Sequence, residues 1–479
     1  MRLRLFIFFF ILLKSAAGFT QTRTMSTGSL SRMIRERGLL QKIYFGISVM
    51  DARSGKVVYE YNADKNFMPA SVLKLFYTLA AVDTKGEDYR FKTGFYHTGE
   101  ILPDGSLLGD LVIVAGGDPT LASGRFFDKG LKAFFKLVTA EIKSKGIKCI
   151  DGGIILVLPP YHYPVSGSWE YRDLGNYYGG GSYPLNFLDN EYKLKFKLGK
   201  KAGDKTEIVD TVPSGLDFLT INNYVLTGKP GTGDNAYLYS IPYALEVDAK
   251  GTLYSPSGYY TIRGALPHPP AVFLKFLGDY LEQENIYFEF LDIAEAPSAD
   301  LKPLFALTSP PLIEICEVCN NFSINMYSEA LATMLCLKTG HPETYLQQEE
   351  IEDFFSRYNL DFDKITIVDG CGLSSGNILT PRQINDFLIM MIDRLGLEKV
   401  RRILPQAGVE GYAKSMFSPG DSIFIKSGSI SGVLNYSGIA TASGGEPLVF
   451  SIMTNNVLEK DKKKVKKILL HLIREITHL

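Results

Sequence analysis

The run Met68-Pro69-Ala70-Ser71-Val72-Leu73-Lys74-Leu75, continued by Phe76 to Val82, constrains this chain more than any other stretch. Proline suits the first turn of a helix, where its missing N–H would have no partner, and the apolar run after it predicts a helix reaching Val82. Ser71 then sits near the helix N-terminus. Lys74, three residues on, lies on the same face one turn away, while Val72, Leu73, Leu75 and Leu79 anchor the helix in a core. An unassisted serine hydroxyl is a poor nucleophile, but an amine whose pKa is lowered by burial or by a second cation can take its proton. Ser-x-x-Lys by itself also fits an ordinary amphipathic helix, so its meaning depends on the rest of the chain.

At 479 residues the chain is too long for one core, and two or three domains are expected. A net charge of −1 excludes a general attraction to nucleic acid or to an anionic membrane. Arg2 and Arg4 precede an apolar run from Leu5 to Leu13 and the small residues Ser15-Ala16-Ala17. That run is far shorter than the roughly 20 residues of a spanning helix, so 1–17 reads as a secretory signal peptide cleaved near Ala17. An exported, periplasmic or otherwise extracytoplasmic protein is expected. Five cysteines are too few for a disulfide framework, and Cys316-Glu-Val-Cys319 lacks a second Cys or His pair. The six histidines show no ligand spacing; neither a metal nor a cofactor is expected.

Lys42 to Met50 and Lys56 to Tyr61 read as a hairpin whose tip is Asp51-Ala-Arg-Ser-Gly55. From about Tyr89 the pattern changes to short strands (111–115, 153–158, 192–198, 218–226, 236–247, 259–262) with helices near 130–145 and 270–284. A stretch of about 210 residues with its own elements is too long for a loop and reads as one or two inserted domains. Helical pattern returns at 311–337, 345–357 and 381–395, where Thr380-Pro-Arg-Gln383 supplies a capping box. Strands at 422–426, 433–441 and 447–455 and a Lys-rich amphipathic helix at 462–476 close the chain as an antiparallel meander covered by a helix. Contact of that helix with a membrane surface is the alternative use of its apolar face.

Asn321-Phe-Ser323-Ile-Asn325 offers a hydroxyl and an amide two residues apart. Of two Lys-[Ser/Thr]-Gly triplets, Lys338-Thr339-Gly340 has ordinary helix C-terminal chemistry, whereas Lys426-Ser427-Gly428 ends an apolar strand. A strand edge bearing a Lys and a hydroxyl can pair with a peptide and hold its carboxylate. The match of Gly372-Leu-Ser374-Ser-Gly376 to a hydrolase nucleophile elbow fails because the next helix begins only at Thr380.

Ser71-x-x-Lys74, Ser323-x-Asn325 and Lys426-Ser427-Gly428, in that order, resemble the three motifs of penicillin-recognising serine enzymes. The long insertion between the first two resembles the D-alanyl-D-alanine carboxypeptidase/endopeptidases of the penicillin-binding protein 4 family. So do Gly116-Gly-Asp-Pro-Thr-Leu121, Trp169-Glu-Tyr-Arg-Asp173 and Asp369-Gly-Cys-Gly-Leu-Ser374. The resemblance implies an α+β fold: a β-lactamase/transpeptidase-like domain, its antiparallel sheet flanked by helices (30–90 and 302–479), with a nested β-rich insertion. The insertion is expected to comprise one domain at 91–115 and 206–301 and another at 116–205.

By the same resemblance Ser71 attacks a D-Ala-D-Ala bond in a peptidoglycan stem peptide, Lys74 takes its proton, and Ser323 relays a proton to the leaving amine. Asn325 and Lys426 hold the substrate and the site's electrostatics, and Ser427 holds the terminal carboxylate. Substrate pairs along Gly428, and the N–H groups of Ser71 and Ser429 form the oxyanion hole. Asp173 and Tyr178 are expected to grip the far end of the stem, and β-lactams to acylate Ser71. The chain departs from the family's pattern at Ile324 (usually Asp), Ser427 (Thr), Ser375 (commonly Arg) and Ser431 (Gln in some members). A β-lactamase would need a deacylating Glu-x-x-Leu-Asn element, and Leu185-Asn186 has Ser182 in the Glu position. The alternative from another class is a catalytically silent peptidoglycan-binding or scaffold protein of the same fold.

Overall fold

The computed structural model describes residues 38–158, 164–297, 300–337, 346–418, 420 and 422–479. The expected signal peptide and Lys338-Thr339-Gly340 lie outside the described residues. The hairpin forms β1 (Tyr44–Asp51) and β2 (Val57–Tyr61), and the chain then enters a single 3-10 turn, Ala70–Leu73, that runs straight into α1 (Lys74–Lys85). Ser71 therefore sits in the 3-10 turn that opens the helix. Nine of the twelve α1 residues are buried, from Lys74 to Val82, because α1 is surrounded by other elements on every side.

Two helices follow the insertion, α2 (Leu312–Phe322) and α3 (Asn325–Cys336), then α4 (Pro381–Leu395) with the capping box on Thr380. The sequence reads 311–337 as one helical stretch; the chain breaks it at Ser323, which takes the left-handed conformation (φ 53°, ψ 46°). That conformation is unfavourable by about 1 kcal/mol for a residue with a Cβ, and Ser323 adopts it where the chain must turn its hydroxyl inward.

The chain ends in β3 (Ile423–Ile430), β4 (Val433–Thr441), β5 (Pro447–Asn455) and α5 (Lys462–Ile476). The sheet order is β3-β4-β5-β1-β2, antiparallel throughout, which leaves β3 on an edge. All but the last residue of β4 and of β5 are buried, because helices cover both faces. On one face Val465, Ile468, Leu469, Leu472, Ile473 and Ile476 of α5 pack among Phe45, Ile47, Tyr436 and Ile452. This apolar stripe is consumed by the core, so α5 has no apolar face to offer a membrane. On the other face α1, α2, α3 and α4 pack through Phe76, Leu79, Ile315, Tyr327 and Phe387.

The insertion has its own core around Phe95, Phe135, Phe187, Leu194 and Phe273. A five-stranded mixed sheet runs Leu291–Ala294, Ile154–Val157, Leu111–Val114, Lys92–His97 and Lys302–Thr308. Two larger three-stranded sheets accompany it, one centred on Glu191–Lys197 and the other on Glu246–Leu253. The expected single strand at 236–247 is two, Asp234–Tyr239 and Glu246–Leu253, because Pro242 interrupts the ladder. The insertion touches the rest of the chain where Val165 and Trp169 pack against Cys371, and at Tyr327 of α3, whose hydroxyl donates to Asp189 at 2.7 Å.

Candidate active site

Three elements meet at Ser71: the 3-10 turn before α1, the break between α2 and α3, and the edge strand β3. Lys74 is fully buried, and its Nζ lies 3.0 Å from Ser71 Oγ, 2.7 Å from Asn325 Oδ1 and 2.7 Å from the Cys371 carbonyl. Two N–H bonds satisfy the amide and the carbonyl. The third position of the amine then faces the serine hydroxyl, within reach for a proton to pass between them. Asn325 cannot turn its oxygen away, because its Nδ2 donates to the Tyr178 carbonyl at 2.7 Å.

The second amine, Lys426 on β3, is buried and donates to Ser323 Oγ at 2.9 Å and to the Ser427 carbonyl at 2.8 Å. Burial, and then the charge of Lys74 beside it, push the Lys426 ammonium well below the ordinary lysine range. Between that lowered value and the ordinary one, the unfolded chain binds a proton here that the folded chain does not, so this group makes stability rise with pH. The stability of the wild type relative to Lys426→Met should therefore climb by up to about 1.4 kcal/mol per pH unit across that window. Denaturant midpoints of the two proteins at a series of pH values check this, and a pH-independent difference would contradict it.

Gly428 brings β3 against the turn that carries Ser71: a Cβ there would meet Pro69 O at 2.7 Å and the Val72 and Ser71 N atoms at 2.9 and 3.0 Å. This close approach places Ser427, half-buried, and Ser429, exposed, beside Ser71 on the strand edge. The turn is held from the other side by Gly372 (φ +83°), where a Cβ would lie 1.9 Å from the Ala70 carbonyl. Tyr178 and Asp173, from the insertion, join each other through a 3.1 Å hydrogen bond from the phenol to the carboxylate. Burial raises both pKa values, and the Asp173 charge adds to the shift of Tyr178. Ser375 and Ser431 are exposed and line neither cleft described below.

Sequence reasoning missed two supporting residues. Asn435, buried within β4, donates from Nδ2 to the Met68 and Pro69 carbonyls at 2.8 and 3.0 Å, pinning the turn to the sheet. Nothing local marks an Asn inside a strand. Asp369 is fully buried and accepts from Trp169 Nε1, Gly372 N, Ser374 N and Asn377 Nδ2 at 2.7 to 2.9 Å. It therefore shapes the loop whose Cys371 carbonyl faces Lys74. Asp369 and Cys371 cluster with Glu329, but the Asp369 oxygens are committed to these N–H donors and Glu329 Oε1 accepts from Gly370 N at 3.0 Å. Truncating Asp369 to Ala leaves four buried donors without their acceptor and should lower stability by about 4 kcal/mol. A thermal midpoint within about 2 °C of wild type would contradict this.

Two clefts open at the site. The larger, about 830 Å³, is lined by Ser71, Ser323, Ser427, Ser429 and Tyr436 and runs to the start of α5. The smaller, about 310 Å³, lies past Ser323 and Asn325 and is lined by Tyr178, Arg125, Arg263, Glu191 and Tyr412. The Cys316 and Cys319 thiols pack on α2, donating to the carbonyls of Thr78 and Ile324 at 3.4 and 3.6 Å.

The chain is 22% identical over 437 residues to the D-alanyl-D-alanine carboxypeptidase DacB of Haemophilus influenzae, covering 88% of this chain and 87% of that one. It is 24% identical over 442 residues to a D-alanyl-D-alanine carboxypeptidase of Actinomadura, covering 88% and 79%. The fold matches the crystal structure of penicillin-binding protein 4 from Haemophilus influenzae with a TM-score of 0.79 at 20% identity, over 95% of this chain and all of that one. Residues 26–476 match the model of the D-Ala-D-Ala carboxypeptidase 3 (S13) family. With that match spanning almost the whole length, the chain belongs to the D-Ala-D-Ala carboxypeptidase 3 (S13) family.

Proposed function

We propose that this protein is a serine D-Ala-D-Ala carboxypeptidase and/or D,D-endopeptidase that acts on peptidoglycan stem peptides through an acyl-enzyme on Ser71. The observation that carries the reading is Lys74, whose amine has two acceptors in Asn325 and Cys371 and faces Ser71 Oγ with its third position. As Oγ attacks the peptide carbonyl, its proton passes to Lys74, and the carbonyl oxygen takes negative charge toward the N–H groups of Ser71 and Ser429. When the C–N bond breaks, the leaving amine takes a proton through Ser323, whose hydroxyl lies between Lys426 and the substrate. Ser427 holds the carboxylate of the leaving residue, with Gly428 giving the strand edge along which substrate pairs. Water then attacks the ester, gives up a proton to the same amine network, and returns Ser71.

Asp173 and Tyr178, held together beside Asn325, bind the acyl side of the stem. β-Lactams acylate Ser71 by the same attack, the ring amide breaking in place of the peptide bond. The catalytic domain then comprises 30–90 and the chain after Thr308, not from 302 as expected, because Lys302–Thr308 pairs with Lys92–His97 in the insertion's sheet. The expected division of the insertion at 116–205 runs through sheets in which Ile154–Val157 pairs with Leu111–Val114 and Glu191–Lys197 with Tyr259–Ala265, so 91–308 is taken as one inserted unit. Among the described residues no helix is long and apolar enough to cross a membrane. Export to the periplasm rests on the leader of residues 1–17.

The test is release of D-alanine from a synthetic stem peptide ending in D-Ala-D-Ala, followed by chromatography, beside cleavage of a cross-linked peptide dimer. Release of D-alanine or scission of the dimer, abolished by prior penicillin, is expected. Folded protein that cleaves neither would overturn the reading.

A further inference from the structure

The larger cleft is bounded on its far side by Lys460, Lys462, Lys463 and Lys466, at the start of α5. Among the described residues its only acidic lining residue is Glu459, which lies 3.7 Å from Lys462. Among the described residues no carboxylate pairs with Lys460, Lys463 or Lys466, so the wall carries a net positive charge toward the cleft.

These lysines are placed where a helix resists them. Five of the first six residues of α5 are lysines, and its first turn holds no acid, although the positive end of a helix dipole disfavours cations. Helix stability gives no reason for them. The buried stripe from Val465 to Ile476 fixes α5 against the sheet, and of its five N-terminal lysines Lys462, Lys463 and Lys466 line the cleft, whereas Lys464 and Lys467 do not.

The cleft also has a side. Ser323 and Ser427 line it, whereas Asp173, Tyr178 and Asn325 do not. In the reaction proposed above, Ser323 serves the leaving amine and Ser427 its carboxylate, so this cleft receives the leaving group. Its volume of about 830 Å³ is that of a site for a drug-sized ligand and far exceeds one alanine.

We propose that Lys460, Lys463 and Lys466 form an anion-binding wall on the leaving-group side of the cleft. The wall selects a peptidyl leaving group bearing several carboxylates over free D-alanine. The inference rests on the acyl-enzyme reading and adds to it a source of selectivity: long-range attraction raises the encounter rate and aligns the leaving peptide, an effect that salt screens.

The experiment compares the wild type with two triple variants, Lys460→Gln/Lys463→Gln/Lys466→Gln and the corresponding Glu variant. The substrates are a cross-linked peptide dimer with free carboxylates, the same dimer with its carboxylates amidated, and a linear peptide ending in D-Ala-D-Ala. The quantity read is the ratio of kcat/KM for the free-carboxylate dimer to that for the linear peptide. The ratio should fall about tenfold in the Gln variant and further in the Glu variant. In the wild type it should fall on amidation and on raising salt to about 0.5 M.

A ratio unchanged in both variants, with penicillin acylation intact to show that the proteins are folded, would overturn the proposal. So would a ratio unchanged by variants that lose binding to vesicles containing an anionic phospholipid, which would assign the lysines to a membrane surface instead. A wild type that accepts penicillin but cleaves no dimer would overturn this inference while leaving the acyl-enzyme standing. One that neither cleaves nor accepts penicillin would overturn both.

Discussion

Ser71→Ala should leave a folded protein whose turnover of D-Ala-D-Ala peptides is reduced by about 10⁴- to 10⁶-fold. The hydroxyl is half-buried and, among the described residues, its one side-chain hydrogen-bond partner is Lys74 Nζ, so its removal opens little space and leaves no other buried polar group without a partner. In the proposed reaction it removes the atom that forms the ester. Binding and oxyanion stabilisation would remain, which is why a small residual rate over water is expected. Stopped assays of D-alanine release, with thermal unfolding as the check on folding, decide it. A loss of less than about tenfold would place the nucleophile elsewhere.

The second large effect is on Lys74. Replacing it with Met keeps the length and apolar stem but removes the amine that, in the proposed reaction, takes the proton of Ser71 as its oxygen attacks. General-base removal alone predicts a loss of about 10³- to 10⁴-fold in the acylation rate. The Asn325 amide oxygen and the Cys371 carbonyl lose a shared donor at the same time, so some loss of order at the α2–α3 break is expected with it. The second-order rate of penicillin acylation, followed by a fluorescent label, isolates the step. A wild-type acylation rate in Lys74→Met would show that another group, with Lys426 the nearest amine on β3, accepts the proton.

Much of this arrangement was legible because the relevant patterns are local. The periodicity of α1, the capping box of α4, β4, β5 and the stripe of α5 each reflect a burial pattern written within one element. The choice of Lys426 over Lys338 followed from strand against helix context. What the sequence left hidden is long-range. The pinning of Met68 and Pro69 by Asn435 links residues 367 and 366 positions apart, and the carbonyl of Cys371 reaches Lys74 across 297. No window of sequence contains either pair. The mixed sheet of the insertion was hidden for the same reason, since Lys92–His97 and Lys302–Thr308 pair across the whole insertion. The left-handed turn at Ser323 carries no Gly to announce it; the strain is held by the packing of α2 and α3 and by the bond from Lys426.

The most direct test of the acyl-enzyme is intact-mass measurement of the purified protein after incubation with a fluorescent penicillin, beside Ser71→Ala. The account predicts a stable mass increase of one penicillin on the wild type, mapped to the peptide containing Ser71 and absent from the variant. A folded wild type with no adduct, or an adduct that persists in Ser71→Ala, would contradict it.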